Sequence, residues 1–308
     1  MPNCLNNGIS IYFADDTTIL IAHKDFNTLI QIGNEQLNRL NKWLVNNKLI
    51  LNAKKTKAVI FRSRGKMIPP IHSTLQVQNE EIKFEQSTTF LGLSFNEHLC
   101  WKNQITNLNK HVRKNLAIVS KFKNQLNSST LVQIFQSIVL GKIRYCISSW
   151  CYGNKTLRDQ LQRSCNNFLR MIFGLKWRDS VKPIMKKFKI PTIQSMLINE
   201  LATLMHKYYS NSIPIALRDL FTRNTLNVRT RSGSVTSRNA FRLQTSKQAL
   251  SYRGTKTWEV IPNSIKYLVV PRSGQSDQAI SRTLRPLKEF KRLLNEYLQS
   301  NPEVFEQI

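Results

Sequence analysis

The sequence predicts an α+β chain that is rich in helices. Up to residue 95, short β-rich runs surround one helical segment, and from residue 96 onward the apolar residues recur mainly at helical spacing. Near the start, two β-rich apolar runs (9–13 and 17–22) flank Asp15 and Asp16. This arrangement is typical of a β-hairpin with the two aspartates at its tip.

The other elements of the first block follow from the same periodicities. Between residues 26 and 44 the apolar residues share one broad helical face, so we predict a helix there. Strands are predicted at 49–51, at 58–61, as a second hairpin over 74–84 around Asn79, and at 89–95.

The remainder of the chain is predicted to be mostly helical. Helices are expected at 101–122, with a basic surface, at 129–147, at 157–174 with Gly174 as its stop, at 192–209 and at 286–298. Acidic residues almost vanish between Arg218 and Lys256, and we expect flexible segments near 222–250 and 270–284. The predicted domains are 1–95, 96–175 and 176–308.

The strongest compositional signal is positive charge. The chain has 46 Lys and Arg against 18 Asp and Glu, a net charge of +28. Such a field attracts polyanions, and nucleic acid is favoured over a membrane because no basic amphipathic helix with a bulky apolar face stands out. A ribosome-like structural role and mere solubility are the alternatives. With 41% hydrophobic residues the chain can bury a core, which excludes a disordered tail.

Cysteine usage and hydropathy indicate where the protein resides. The five cysteines are odd in number and scattered, so they fit neither a disulfide framework nor a zinc site. No secretory signal opens the chain, and no apolar run approaches the roughly 20 residues of a membrane helix. We therefore expect an intracellular protein, in the nucleus or the cytoplasm, that is not secreted and has no membrane partner.

Asp15 and Asp16 form the one constellation with a chemical interpretation. Nucleotidyl transfer uses two divalent metals about 4 Å apart, and hard cations such as Mg²⁺ bind carboxylate oxygens. Because side chains alternate along a strand, one aspartate should face the cleft, and we expect it to be Asp15. A plain acidic β-turn is the alternative, since Asp is a common turn residue.

Further motifs follow the acidic box in a fixed order. They are Tyr-Phe-Ala-Asp-Asp-Thr at 12–17, a helix with Leu37, Leu40, Trp43 and Leu44, Leu-Asn-Ala-Lys-Lys-Thr at 51–56, Phe-Leu-Gly at 90–92 with Trp101 after it, 145–150, and Gly254-x-x-x-Trp258-x-x-x-Pro262. Together they resemble the reverse transcriptases of non-LTR (LINE-type, jockey/CR1-like) retrotransposons. Glu259 departs from the asparagine that is usual at its position.

The resemblance implies a partial polymerase. Residues 1–95 would be the C-terminal part of the palm, 96–175 a helical thumb and 176–308 a basic, α-rich C-terminal region. Asp15 and Asp16 would form the catalytic box that binds Mg²⁺. Lys55 would lie near the phosphates of the incoming nucleotide as a general acid or charge stabiliser, and a solvated lysine is the alternative.

The resemblance also implies contacts with an RNA template and a DNA primer, or with an RNA–DNA hybrid. Phe90, Leu91 and Gly92 would form the primer grip; an ordinary apolar strand is the alternative. The cations expected to contact nucleic acid are Lys102, Lys110, Arg113, Lys114, Lys121, Lys123, Arg229 and Arg231. For each of the thumb cations a solvated helix face is the alternative.

A polymerase of this kind also needs fingers and an aspartate on an earlier palm strand. Only 14 residues precede Asp15, so we expect a truncated enzyme that is inactive alone and whose partner is the missing N-terminal palm and fingers portion of the same polyprotein. The first hairpin should then have an unpaired edge and a partly uncovered apolar face. A non-catalytic nucleic-acid-binding remnant is the main alternative, and a basic structural protein is a third.

Overall fold

The computed structural model describes residues 5, 8–66, 74–78, 80–152, 155–221, 249–271 and 280–301. These residues form helices and small antiparallel sheets of two strands each, which confirms the predicted helix-rich α+β class. The chain divides into two compact units, 1–103 and 104–308. None of the helices in the described ranges is both long and apolar enough to cross a bilayer.

The described part of the first unit is built from hairpins and one long helix. Its elements are β1 (Ile9–Phe13), β2 (Asp16–Leu20), α1 (Phe26–Asn46), a 3₁₀ turn (Ala53–Lys55), β3 (Leu75–Val77), β4 (Glu80–Ile82), β5 (Ser87–Phe90) and β6 (Leu93–Asn96). The pairs β1–β2, β3–β4 and β5–β6 are antiparallel. The hairpins predicted over 9–22 and 74–84 and the helix over 26–44 are confirmed.

Helix α1 holds the second hairpin through a polar and an apolar contact. The side-chain amide of Asn34 donates to the carbonyl oxygen of Thr74 at 3.0 Å and accepts from the backbone N–H of Gln76 at 2.9 Å. The neighbouring Gly33 lies so close to Leu75 that a Cβ would stand 2.7 Å from the leucine Cδ2. Asn34 therefore satisfies backbone groups on the edge of β3 that would otherwise be open to another strand.

The strand predicted at 49–51 is wrong, because hydrogen bonds to neighbouring residues form turns on both sides of it. The backbone N–H of Leu49 donates to the carbonyl oxygen of Leu44 at 2.8 Å and so closes the end of α1. Immediately afterwards, the side chain of Asn52 accepts the backbone N–H of Lys55 at 3.1 Å and caps the 3₁₀ turn. Asparagine side chains commonly compete with strand hydrogen bonds in this way.

The strand predicted at 58–61 is also wrong. Ala58 forms an isolated parallel bridge with Phe84, and within the described residues no ladder continues from it. Arg62 then fixes the chain to Glu97 through a backbone hydrogen bond of 3.0 Å and an ion pair of 3.1 Å. The segment is thus anchored by its two ends rather than by continuous pairing.

The single strand predicted at 89–95 is a hairpin. Its strands β5 and β6 pair Phe90 with Leu93 across a turn at Leu91 and Gly92, which have φ angles of 45° and 77°. Two consecutive positive φ angles allow a two-residue reversal, and glycine adopts such an angle without steric cost. Apolar residues continue through this turn, so the sequence shows no break between the two strands.

The described part of the second unit is mainly helical. Its elements are α2 (Lys102–Phe122), which begins at the boundary, α3 (Ser128–Ile134), a π-helical segment (Phe135–Leu140), α4 (Gly141–Arg144), α5 (Ile147–Trp150), α6 (Lys155–Phe173), α7 (Lys182–Lys187), α8 (Ile193–Tyr209), α9 (Ile215–Arg218), α10 (Leu250–Val260), α11 (Asn263–Lys266), β7 (Tyr267–Pro271), β8 (Ile280–Leu284) and α12 (Leu287–Ser300). The helices predicted over 101–122, 157–174, 192–209 and 286–298 are confirmed. Gly174, with φ 64°, follows α6 as predicted.

The helix predicted over 129–147 is interrupted near its end. After α4, Cys146 takes a φ of 48° and the chain turns before α5. The indole N–H of the buried Trp150 donates to the carbonyl oxygen of Tyr145 at 3.0 Å, so the backbone group released by the break keeps a partner.

One of the two segments expected to be flexible, 270–284, contains regular structure in its described part, whereas nearly all of the other, 222–250, lies outside the described residues. The segment 270–284 begins and ends in the β7–β8 pair, and residues 272–279 lie outside the described residues. Helix α10 covers the end of the acid-poor stretch, while residues 222–248 lie outside the described residues.

The core of the second unit forms where α8, α10 and α12 meet. The ring of Phe290 lies 4.8 Å from that of His206 and 5.6 Å from that of Trp258. Gly254 lets α10 approach α8, since a Cβ there would stand 2.9 Å from the sulfur of Met205. Trp258 and Trp150 are both buried.

A buried lysine lies beside this core. The ammonium of Lys266 stands 5.4 Å from the ring centroid of Trp258, and burial lowers the pKa of Lys266 from 10.5 to about 8. Between these two values the unfolded chain binds the proton more tightly than the folded chain does. The folded state is therefore penalised below pH 8, and the penalty disappears as the pH rises through the window from about 8 to 10.5.

We predict that Lys266→Met raises the free energy of unfolding at pH 7 by about 1–2 kcal/mol, after discounting the pKa shift for solvent near the ammonium. This advantage over the wild type should shrink as the pH rises from about 8 through 10.5, because the unfolded lysine loses its proton over that range and becomes neutral, as the folded one already is. Denaturant unfolding of both proteins across this pH range measures the difference. Lys288→Met, at an exposed position on α12, is the control and should show no such convergence. A constant difference at all pH values would contradict the proposed penalty.

Candidate metal-binding hairpin and nucleic-acid interface

The turn between β1 and β2 brings two carboxylates to one exposed end of a hairpin. Phe13 pairs with Asp16, so Ala14 and Asp15 alone form the connection. Ala14 takes a φ of 51°, which is uncommon for a residue other than glycine and lets the chain reverse in so short a turn. Asp15 therefore lies in the turn itself, and Asp16 opens β2.

Both aspartates are exposed, and neither side chain forms a hydrogen bond or ion pair with any described residue. Two adjacent carboxylates suit Mg²⁺, which is usually bound by one or two carboxylates together with waters and substrate phosphates. In the described ranges, no three His, Cys, Asp or Glu side chains gather into a group able to hold a metal. The hairpin therefore fits part of a magnesium site.

Lys55 lies at the end of the 3₁₀ turn, which packs against β4. Its side chain is exposed and forms no ion pair with Asp15 or Asp16. The three residues that the sequence predicts as catalytic are thus all accessible, but the structure does not join Lys55 to the hairpin tip.

The predicted primer-grip residues occupy the β5–β6 turn. Phe90 ends β5, and Leu91 and Gly92 form the reversal. Behind the turn, the ring of Phe95 stands 6.4 Å from that of Phe90 and 5.0 Å from that of Trp101. An aromatic row therefore supports the hairpin from its tip to the residue before α2.

Helix α2 separates an apolar face from a basic face. Its buried apolar residues are Ile105, Leu108, Val112 and Val119. Lys110, Lys114 and Lys121 are exposed and, at about 100° per residue, project within one narrow sector opposite that face. We call these three lysines the α2 basic face.

The remaining predicted cations differ in their surroundings. Lys102 and Arg113 are exposed on the flank of α2, toward its buried face. The ammonium of Lys123 lies 3.8 Å from where a Cβ of Gly174 would stand, at the C-terminal end of α6, and there it offsets the negative end of the helix dipole. Arg229 and Arg231 lie outside the described residues.

Trp177 is not among the predicted site residues, yet it is the most exposed tryptophan of the described residues, at 80%. It lies in the short connection between α6 and α7. The signal that could have found it is the polar stretch Lys-Trp-Arg-Asp at 176–179, shortly after the Gly174 helix stop, because Asp-containing polar stretches are typical of turns.

The first hairpin also presents apolar side chains to solvent. Ile9, Ile11 and Phe13 share one face of β1, and Ile9 and Phe13 are 66% and 59% exposed. The β1–β2 sheet has only these two strands in the described part of the chain. Within the described residues, this hairpin therefore presents an exposed apolar face and pairs with no further strand.

The chain is similar in sequence to a known protein. The RNA-directed DNA polymerase from the mobile element jockey of Drosophila melanogaster is 24% identical to this chain over 190 residues, which are 61% of this chain and 20% of that protein. This chain contains a region related to non-LTR reverse transcriptases. The chain spans about a fifth of the length of this curated relative. No protein-family profile and no solved structure matches it.

We predict that the exposed face of the hairpin causes self-association of the isolated reverse-transcriptase-related chain. Replacing Ile9 and Phe13 together by Thr removes apolar surface but keeps good strand propensity, so the double variant should remain monomeric at several-fold higher concentration. Sedimentation velocity over a concentration series measures this. Val45→Thr, at an exposed position on α1 in the same unit, is the control. Equal self-association of the double variant and the wild type would exclude the hairpin as the contact.

Proposed function

We propose that this chain is the C-terminal part of an RNA-directed DNA polymerase of a non-LTR retrotransposon. Residues 1–95 would belong to the palm, 96–175 would form the thumb and 176–308 a basic C-terminal region. The observation that carries the proposal is the pair Asp15–Asp16, side by side at the exposed tip of an antiparallel hairpin in a chain related to such polymerases.

In this proposal Asp15 and Asp16 bind catalytic Mg²⁺. The bound metal supplies charge stabilisation for the attacking and leaving oxygens of nucleotidyl transfer. The carboxylate of Asp15 lies in the turn, where a primer terminus and a nucleotide phosphate would reach it. Asp16 holds the adjacent carboxylate on β2, and its backbone pairing with Phe13 keeps the two groups together.

Other groups of the first unit would act on the substrates. The exposed ammonium of Lys55 would contact phosphates of the incoming nucleotide, as a charge stabiliser or a proton donor. The β5–β6 turn at Phe90, Leu91 and Gly92 would hold the primer backbone, because its narrow reversal allows close approach of another chain.

The hairpin alone is an incomplete catalytic centre. It offers two carboxylates and an uncovered apolar face, and both features would be completed by further palm strands that carry another aspartate. We therefore propose that residues 1–308 do not polymerise on their own, and that fingers and an earlier palm segment of the same polyprotein act with them. The β1–β2 sheet supports this, since it has only two strands in the described part of the chain and its edges would pair with such strands.

Nucleic acid would be held by the α2 basic face. Lys110, Lys114 and Lys121 form no ion pair with a described residue, so their charge is free to neutralise phosphates. Along an ideal helix, Lys110 and Lys114 are about 6 Å apart and Lys114 and Lys121 about 10 Å. These spacings match an approach along the backbone of a duplex such as an RNA–DNA hybrid.

A non-catalytic nucleic-acid-binding role is the second candidate. All three lysines of the α2 basic face lie within the described residues. For the metal site, in contrast, the described residues supply two adjacent carboxylates and no third ligand. This difference favours the second candidate.

We predict that Asp15→Asn lowers primer extension by at least about a hundredfold when the chain is expressed in one polypeptide with a palm and fingers segment of a related element. The substitution removes a charge that stabilises the transition state, and losses of this size follow removal of one such group. Glu81→Gln, an exposed strand carboxylate of the same unit, should leave the rate unchanged. The 308-residue chain alone should extend no primer. Template-dependent extension by that chain, or full activity of Asp15→Asn, would contradict the proposal.

We predict that Lys110→Gln, Lys114→Gln and Lys121→Gln together weaken binding of an RNA–DNA hybrid. The slope of log affinity against log salt should fall by up to about 2.7, because each phosphate contact contributes about 0.9 for a B-form duplex. Fluorescence anisotropy at several salt concentrations measures the slope. The control replaces the exposed Lys42, Lys288 and Lys291 by Gln, which changes the net charge equally, and it should keep most of the wild-type slope. If both triple variants lose the same slope, α2 is not the contact surface.

A further inference from the structure

The connection between α6 and α7 holds an exposed tryptophan in a defined turn. The backbone N–H of Asp179 donates to the carbonyl oxygen of Lys176 at 3.1 Å, and the N–H of Lys176 donates to Oδ2 of Asp179 at 2.7 Å. These reciprocal bonds close a four-residue turn. Trp177 and Arg178 are its two central residues, and Trp177 is 80% exposed there.

The turn is fixed to the helix before it. The guanidinium of Arg170, near the end of α6, donates from Nε and Nη2 to the carbonyl oxygen of Asp179 at 3.2 and 3.1 Å. Its Nη1 also donates to Oδ1 of Asn167 at 3.0 Å, which orients the group. Several hydrogen bonds thus fix the backbone that carries Trp177, and its indole is exposed to solvent.

The surroundings of Trp177 are strongly basic. The exposed cations between residues 176 and 189 are Lys176, Arg178, Lys182, Lys186, Lys187 and Lys189. None of them forms an ion pair with a described residue. Asp179 is the single acidic residue of this segment, and its carboxylate already accepts a hydrogen bond within the turn. The segment therefore combines a free aromatic face with uncompensated positive charge.

This combination is the chemistry that recognises unpaired nucleotides. Base stacking on an aromatic side chain is tolerant of sequence, because every base has a π-face, and nearby cations follow the phosphate backbone. Bases within a duplex are already stacked on each other and are not available to such a side chain. An exposed tryptophan on a cationic surface hence discriminates single strands from duplexes.

A membrane surface fits the segment less well. Interfacial anchoring requires an apolar face of several large side chains. Between 176 and 189 Trp177 is the one large apolar residue that the structure leaves exposed, since Val181 is buried and Ile184, Met185 and Phe188 are partly buried.

We propose that the Trp177 turn and its six neighbouring cations, from here on the Trp177 platform, bind single-stranded nucleic acid, with one unpaired base stacked on the indole. The inference rests on the nucleic-acid-binding part of the proposed function and assigns it a second surface, for the strand that is not in the duplex. It requires no metal and no catalytic activity.

The test uses the whole chain and a dye-labelled oligothymidylate of about a dozen nucleotides, followed by fluorescence anisotropy. Trp177→Ala should weaken binding at least about fivefold, since stacking on one aromatic residue contributes about that factor or more. Trp177→Phe, which keeps a stacking face, should recover most of the loss. Ile215→Ala, at a position that is 77% exposed elsewhere in the same unit, should bind as the wild type does.

Charge and stacking are separated by their salt dependence. Trp177→Ala should leave the salt slope unchanged, whereas Lys186→Gln with Lys187→Gln should lower it by about 1.4, the value for two phosphate contacts on a single strand. Because Trp177 is exposed, the alanine variant should unfold at the wild-type temperature, which thermal unfolding checks.

Equal oligothymidylate binding by wild type and Trp177→Ala would overturn the inference. If an RNA–DNA hybrid still bound through the α2 basic face in that experiment, the proposed function would stand and this inference alone would fail. If neither probe bound, both would fail. Trp177-dependent binding to vesicles of phosphatidylserine and phosphatidylcholine, without binding of oligothymidylate, would also overturn it in favour of a membrane.

Discussion

The two-residue connection between β1 and β2 is the constraint on which the candidate site depends. Because Phe13 pairs directly with Asp16, the turn is confined to Ala14 and Asp15, and both carboxylates are held at one end of the sheet. The same register sets the faces of the hairpin, with Ile9, Ile11 and Phe13 together on one side. A slip by one residue would exchange those faces and separate the acidic tip from the apolar surface. The acidic tip and the exposed apolar face therefore belong to the same short hairpin.

Positive charge is the second feature, and its cations differ in whether they have partners within the described residues. Cations that support structure are neutralised or held by hydrogen bonds, as Arg62 is by Glu97 and Arg170 is by the carbonyl oxygen of Asp179. Those of the α2 basic face and of the Trp177 platform are exposed and form no ion pair in the described residues. A folded chain that leaves so many like charges unpaired tolerates their mutual repulsion, which a bound polyanion would relieve.

Periodicity in the sequence was sufficient for the elements whose burial pattern is regular. Helices α1, α2, α6, α8 and α12 were predicted because burial of one face imposes a period of 3.6 residues. The hairpin around Asp15 was predicted because two β-rich apolar runs flank turn-forming aspartates. Strands failed where a local polar group redirected the backbone, as Asn52 does, or where positive φ angles at Leu91 and Gly92 reversed a run that remained apolar. Trp177 was missed because its one signal, a polar Lys-Trp-Arg-Asp stretch after a helix stop, indicates a turn but not how exposed the aromatic side chain is. The aspartates were found because their chemistry depends on a short motif, whereas the surroundings of Lys55 depend on tertiary packing.

The most direct test of the polymerase account is the sequence of the transcript and of the genomic DNA immediately upstream of Met1. The account predicts an open reading frame that continues upstream in the same frame and encodes fingers and a palm strand with a further aspartate, able to share metal with Asp15 and Asp16. Stop codons or an unrelated coding sequence there would contradict it. The chain would then be interpreted through its two basic surfaces alone, as a nucleic-acid-binding remnant of a polymerase.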